Sequence, residues 1–167
     1  MPNHVSNQIE FACNPKLGKQ IITEVTKDGS VDFNLLIPMP LSIYCGGLSK
    51  TDDEDFGENT WLVWCRKYWG TKWNAYSGKI IKNEAGDEIK LYFETAWSLP
   101  YPFIIAFANK YKLDFVYKYF DEGHNFWGDE EWKAGERVER NRNPEETQKA
   151  LHIELRGYDY TNEDEEE

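Results

Sequence analysis

Residues 59–76 read NTWLVWCRKYWGTKWNAY, and residues 93–103 read FETAWSLPYPF; together they hold five of the seven tryptophans. In the first stretch Trp61, Trp64, Cys65 and Tyr68 recur at helical spacing, with Asn59, Arg66 and Lys67 largely off that face. This is the stripe of a surface helix laid on a sheet. Asn59 is suited to cap its start and Gly70 to end it in a left-handed turn, so a helix is predicted over residues 59–69. Residues 71–76 keep neither a helical nor an alternating period and read as a structured loop. Gly70-Thr71-Lys72 lacks the spacing of a phosphate-binding loop, and Lys72 follows a helix instead of preceding one. Tryptophans that anchor packing through hydrogen-bonded indoles account for the loop more simply.

Upstream, Val5, Ile9 and Phe11 alternate with Ser6, Gln8 and Glu10, the period of a strand with one buried face. Asn7 falls in the inward row and is expected to be a hydrogen-bonded core amide. Pro15 opens an amphipathic helix carrying Leu17, Ile21, Ile22 and Val25, which Asp28-Gly29 ends. Residues 31–37 read as a short extended stretch stopped by Pro38 and Pro40. Residues 42–58, with Cys45-Gly46-Gly47 and Thr51-Asp52-Asp53-Glu54-Asp55, have the composition of a mobile surface loop. The acidic run lacks the register of a calcium loop.

Downstream, residues 77–83 and 88–95 flank Glu84-Ala85-Gly86-Asp87 as a hairpin, with Ile89, Leu91 and Phe93 inward. Pro100 and Pro102 sit where a second helix begins, and Phe103, Ile104, Phe107, Ala108 and Tyr111 form its buried stripe over residues 102–111. Residues 113–120 follow as a strand with Leu113, Phe115, Tyr117 and Tyr119 on one face. Strand, helix, hairpin, helix, strand is a ferredoxin-like βαββαβ order within an α+β fold. It places an antiparallel sheet under helices on one face, with residues 17–58 as an insertion. Residues 123–133 and 151–156 are expected to add strands, the latter because Leu151, Ile153 and Leu155 alternate with His152, Glu154 and Arg156. Asn143-Pro144 with Glu145-Glu146 carries a helix-start signal in the linker between them. Residues 1–160 then form one domain with its elaboration at 123–160. The polar, acidic residues 161–167 are expected to be a disordered tail.

Several of these residues also carry a likeness. Met1-Pro2-Asn3 with Asn7, the Ile37-Pro38-Met39-Pro40 turn, Trp69-Gly70-Thr71-Lys72-Trp73-Asn74-Ala75-Tyr76 and Glu94-Thr95-Ala96-Trp97-Ser98, in that order, resemble the YubB-like phage and plasmid proteins. The likeness runs from Met1 to about Phe126 and departs at His4-Val5, where an aromatic and a cysteine are expected. It implies a ferredoxin-like domain and a mobile-element setting, with no catalytic residues to carry over. "Ferredoxin-like" here names a topology and implies no iron–sulfur cluster.

At 167 residues with 40% hydrophobic and 16% aromatic content, the chain is long enough to bury its own core. No stretch has the length and apolarity of a membrane span, and the N-terminus lacks the regions of a signal peptide, so a cytoplasmic setting in a bacterial host is expected. Cys13, Cys45 and Cys65 are odd in number and far apart, which argues against a disulfide framework or a zinc knuckle. No cofactor or metal motif is present. Glu122 and His124 flank Gly123 and could form part of an acid–base pair, but a loop histidine is the simpler explanation, and no catalytic motif accompanies them.

Charge is the strongest functional signal. The net charge is −11, and residues 113–167 carry 17 acidic and 7 basic side chains, leaving −10 in the last third. Such a surface disfavours conventional nucleic-acid binding and favours a basic partner. The first expectation is therefore a non-enzymatic phage or plasmid accessory protein that binds a host or competitor protein. Its acidic surface would be formed by Asp121, Glu122, Asp129, Glu130 and Glu131 around an anchoring Trp127. One use of that surface is anti-defence inhibition of the anti-CRISPR type, occupying a nucleic-acid channel by charge mimicry. The alternative is a nucleotide or single-strand binder using Trp69, Lys72, Trp73 and Tyr76. A third is an enzyme with its pocket at the same loop.

Overall fold

The structure is a computed structural model that describes residues 3–49, 51–138 and 144–159. The expected tail at 161–167 and the opening Met1-Pro2 lie outside the described residues. Six strands form one antiparallel sheet: β1 (His4–Ala12), β4 (Tyr76–Lys82), β5 (Glu88–Ala96), β6 (Phe115–Asp121), β7 (Trp127–Lys133) and β8 (Glu136–Val138). Their order is β4-β5-β1-β6-β7-β8. The first four give the ferredoxin-like arrangement, and β7 and β8 extend it beyond β6.

On one face lie α1 (Pro15–Val25), α3 (Trp61–Tyr68) and α4 (Tyr101–Tyr111). Ile21 and Val25 of α1, Trp64 and Cys65 of α3, and Phe103, Ile104, Phe107 and Ala108 of α4 bury against Ile9, Phe11, Leu91, Phe93, Phe115 and Tyr117 of the sheet. Asn14 caps α1 by accepting from Leu17 N at 2.9 Å. Thr60 caps α3 in place of the expected Asn59, accepting from Val63 N. Gly70 closes α3 with a left-handed backbone, φ 77°, and its N–H donates to Cys65 O.

Three expectations change. Asp28-Gly29, with φ of 52° and 82°, is the two-residue turn of a small hairpin, β2 (Thr26–Lys27) and β3 (Ser30–Val31). The predicted extended stretch at 31–37 is a 3-10 turn at Phe33–Leu35, begun by the Asp32 carboxylate accepting from Asn34 N. A short helix, α2 (Asp52–Phe56), stands in the predicted loop.

The largest correction is at the C-terminal end. Residues 151–156, predicted as a strand, belong to α5 (Pro144–Arg156), which packs on the opposite face of the sheet. Leu151 and Leu155 satisfy both a period of two and an i, i+4 spacing, and six residues do not separate the two readings. Burial does: Leu151, His152 and Leu155 are inside while Ile153 is 42% exposed. The helices are thus not all on one face. Under α5 the second face of β1 is covered too, which is why Ser6 and Gln8 are as buried as their inward neighbours.

Candidate functional site

Strand alternation divides the expected acidic surface. Along β7, Trp127, Asp129 and Glu131 pair with Phe120, Lys118 and Val116 on the face that α5 partly covers, whereas Glu130 pairs with Tyr117 on the core face. Glu130 is 5% exposed and accepts from the Tyr101 hydroxyl and from Trp132 Nε1, with Arg137 Nε at 3.7 Å. Burial, then the hydrogen bond to Glu130, pushes the Tyr101 phenol far up. Asp121 is also interior, accepting from Asn125 N and Nδ2 at 3.1 and 2.6 Å within the turn before β7. Glu122 is exposed and accepts from His4 N at 2.8 Å. Trp127 lies half-buried beside Phe120 in the cluster beneath α5. Of the six predicted residues, Glu130 and Asp121 are structural and only Asp129, Glu131 and the packed Trp127 share a face.

The aromatic loop divides as well. Trp69 is core: its indole donates to Ile37 O at 2.9 Å and packs edge-on against Phe33 and Trp64. Tyr76 is half-buried with its hydroxyl 2.6 Å from His4 Nδ1, and burial pushes its phenol up to about 12. Asn74 ties the loop down, accepting from Phe33 N and donating to Asp32 Oδ1. Of the four predicted residues this leaves Lys72 and Trp73, both half-buried, with the Lys72 ammonium 4.7 Å from the Trp73 ring. His124 turns its ring towards Phe120 and His152, and Glu122 is engaged with the His4 backbone.

The fold instead creates a groove that the sequence did not reveal. One cross-strand row, Ile81, Lys90, Glu10, Val116 and Glu131, runs over β4, β5, β1, β6 and β7 on the face shared with α5. The groove along it has a volume of about 590 Å³. Glu88 and Asp114 join Glu10 and Glu131 in its lining, so four carboxylates and two lysines, Lys82 and Lys90, line it together with the apolar Ile81 and Val116, while Phe11, Ile89 and Trp132, which also border it, turn their side chains to the core face. At its margin toward α5, Glu10 accepts from Lys90 at 3.0 Å and Lys118 at 3.1 Å, and Lys118 reaches Glu154 at 2.7 Å. Burial alone would raise the Glu10 carboxyl, but hydrogen bonds from Lys90 and the neighbours around it outweigh this and hold it at about 2. Each residue of the row belongs to a different strand, which is why no local motif announced it.

No helix among the described residues is long and apolar enough to cross a membrane. No curated protein and no solved structure matches the chain significantly. Residues 69–167, more than half of the chain, match the family described as the ferredoxin-like domain in Api92-like protein, and with the β4-β5-β1-β6 strand order at its centre the chain belongs to that family.

Proposed function

We propose that the protein is a binding module, not a catalyst, and that its working surface is the groove along Ile81, Lys90, Glu10, Val116 and Glu131, occupied by a basic segment of a partner protein. The observation that carries the reading is the composition of that groove: four carboxylates against two lysines, with the apolar Ile81 and Val116 between them. An amphipathic segment bearing lysine or arginine matches both features, since carboxylates steer the cation and desolvated apolar contacts hold the chain. The net charge of −11 supplies the long-range attraction. In the phage or plasmid setting implied by the YubB-like resemblance, the partner is a host or competitor protein with a basic surface. Anti-defence inhibition would then present carboxylates where that partner expects phosphates.

The test is titration of isotope-labelled protein with basic amphipathic peptides at low and high salt, following backbone amide shifts. Saturable shifts are expected at Ile81, Lys90, Val116 and Glu131, weakening as salt rises. They should be absent from a Glu88→Lys/Glu131→Lys variant that melts at the parent temperature. Saturable shifts confined to the face covered by α1, α3 and α4, or binding unchanged in the double variant, would overturn the assignment of this groove.

A further inference from the structure

We propose a second site, at the opposite end of β5 from the groove, for a planar anion of the nucleotide type: an aromatic base joined to a phosphate. Its centre is Trp97, the residue after β5, whose backbone is left-handed with φ 71°. Bulky side chains seldom adopt that conformation, because Cβ crowds the following carbonyl, and when they do the surroundings must hold them there. Here Trp97 N donates to Asn3 O at 3.0 Å, Thr95 Oγ1 donates to Ser98 O, and Ser98 Oγ donates to Gly70 O. The strain does not serve core packing, since Trp97 stays 43% exposed.

What the conformation achieves is a gathering of cations and rings. Lys72 Nζ lies 4.2 Å from the Trp97 ring and 4.7 Å from the Trp73 ring, and Arg66 Cζ lies 5.7 Å from Trp97. In a chain of net charge −11, this places an ammonium and a guanidinium beside two indoles that are not buried in the core. Indole surface takes a base by stacking, and Arg and Lys take a phosphate by charge-assisted hydrogen bonds. A neutral base would leave the cations unused, and a bare phosphate would leave the rings unused. The site needs neither Trp69 nor Tyr76, which the core and His4 occupy; Trp97 and Arg66 stand in their place. Free nucleotide and the terminal nucleotide of a single strand share this chemistry.

The full chain is titrated with thymidine monophosphate, thymidine, inorganic phosphate and oligothymidylate, reading tryptophan fluorescence. Saturable quenching by the monophosphate is expected, with thymidine and phosphate each weaker by about tenfold or more. A tighter response to oligothymidylate assigns the site to single strands, and an equal one to free nucleotide. Lys72→Gln should weaken the monophosphate by about tenfold, and Trp97→Asn, which tolerates the left-handed backbone, should abolish its effect. The idea fails if neither monophosphate nor oligothymidylate quenches saturably, or if both variants quench like the parent. Neither failure touches the groove, whose residues lie elsewhere.

Discussion

Asn7 is fully buried, and a primary amide there must find partners for both its oxygen and its nitrogen. It does: Oδ1 accepts from the Tyr117 hydroxyl at 2.7 Å, and Nδ2 donates to Val5 O at 2.8 Å and to Thr95 Oγ1 at 3.0 Å. Thr95 passes the connection on to the Ser98 carbonyl, so one interior amide links β1, β6 and the turn that carries Trp97. Asn7→Ala should lower stability to urea by about 1–3 kcal/mol by leaving the Tyr117 hydroxyl buried without its acceptor. The same substitution in a Tyr117→Phe background should cost less, because the stranded hydroxyl is gone. Equal losses in the two backgrounds would show the pair is uncoupled. Asn7 was legible as a core amide because it stands in the inward row of an alternating strand, while its partners, 88 and 110 residues away, were not. Trp97 is the contrary case. Its left-handed backbone is set by contacts with Asn3 and, through Ser98, with Gly70, so nothing in Glu94-Thr95-Ala96-Trp97-Ser98 marks it as exposed.

Among the elements, α5 decides most. It buries Leu151 and Leu155 against Phe120 with Tyr92 and Trp127, and converts a sheet with one covered face into one covered on both sides at one end. Without it Phe120 would be an exposed aromatic. A helix and a strand make different predictions for three leucine-like positions in a row. Leu151→Ala and Leu155→Ala should each destabilise by about 2–5 kcal/mol, and Ile153→Ala by no more than about 0.5 kcal/mol in urea denaturation. Comparable losses at all three would restore the strand. The longer elements β1, α1, α3, β4, β5, α4 and β6 were legible to within a few residues, since their apolar periods extend over enough turns or pleats to exclude the alternative, whereas the two- to five-residue elements β2, β3, α2 and β8 are too short to carry a period. For residues 151–156 the two periods coincide, and the helix-start signal at Asn143-Pro144 was the better guide.

For the whole molecule, the linking feature is the ion network of Glu10, Lys90, Lys118 and Glu154, which ties β1, β5 and β6 to α5. The Glu10 carboxyl is held at about 2 in the folded protein, below its ordinary value of 4.5. Its folded value is depressed, so its contribution to stability is present above pH 4.5 and is lost as the pH falls from 4.5 towards 2. Glu24, held at about 2 by hydrogen bonds from Lys110, Gln20 and Tyr111, titrates in the same window. The melting temperature should therefore drop steeply over that range, and Glu10→Gln should make the drop shallower while leaving the fold intact. An acid profile identical in parent and variant would remove Glu10 from the network's account.

Periodicity, caps and turn chemistry are properties of neighbours along the chain, so the sequence alone determined the hairpin, the helices of the core face, the inward row of β1 and the ferredoxin-like order. The tertiary structure decided which face each charge occupies. Glu130 and Asp129 are adjacent in sequence and on opposite faces, one in the core and one opposite Lys118. It also decided which strangers meet, placing Glu10 beside Lys118 and Lys72 beside Trp97. Composition counts charges, but a surface is made by register across strands, and at the centre of the sheet that register is set by the pairings of β1 with β5 and β6, between residues 76 to 116 positions apart.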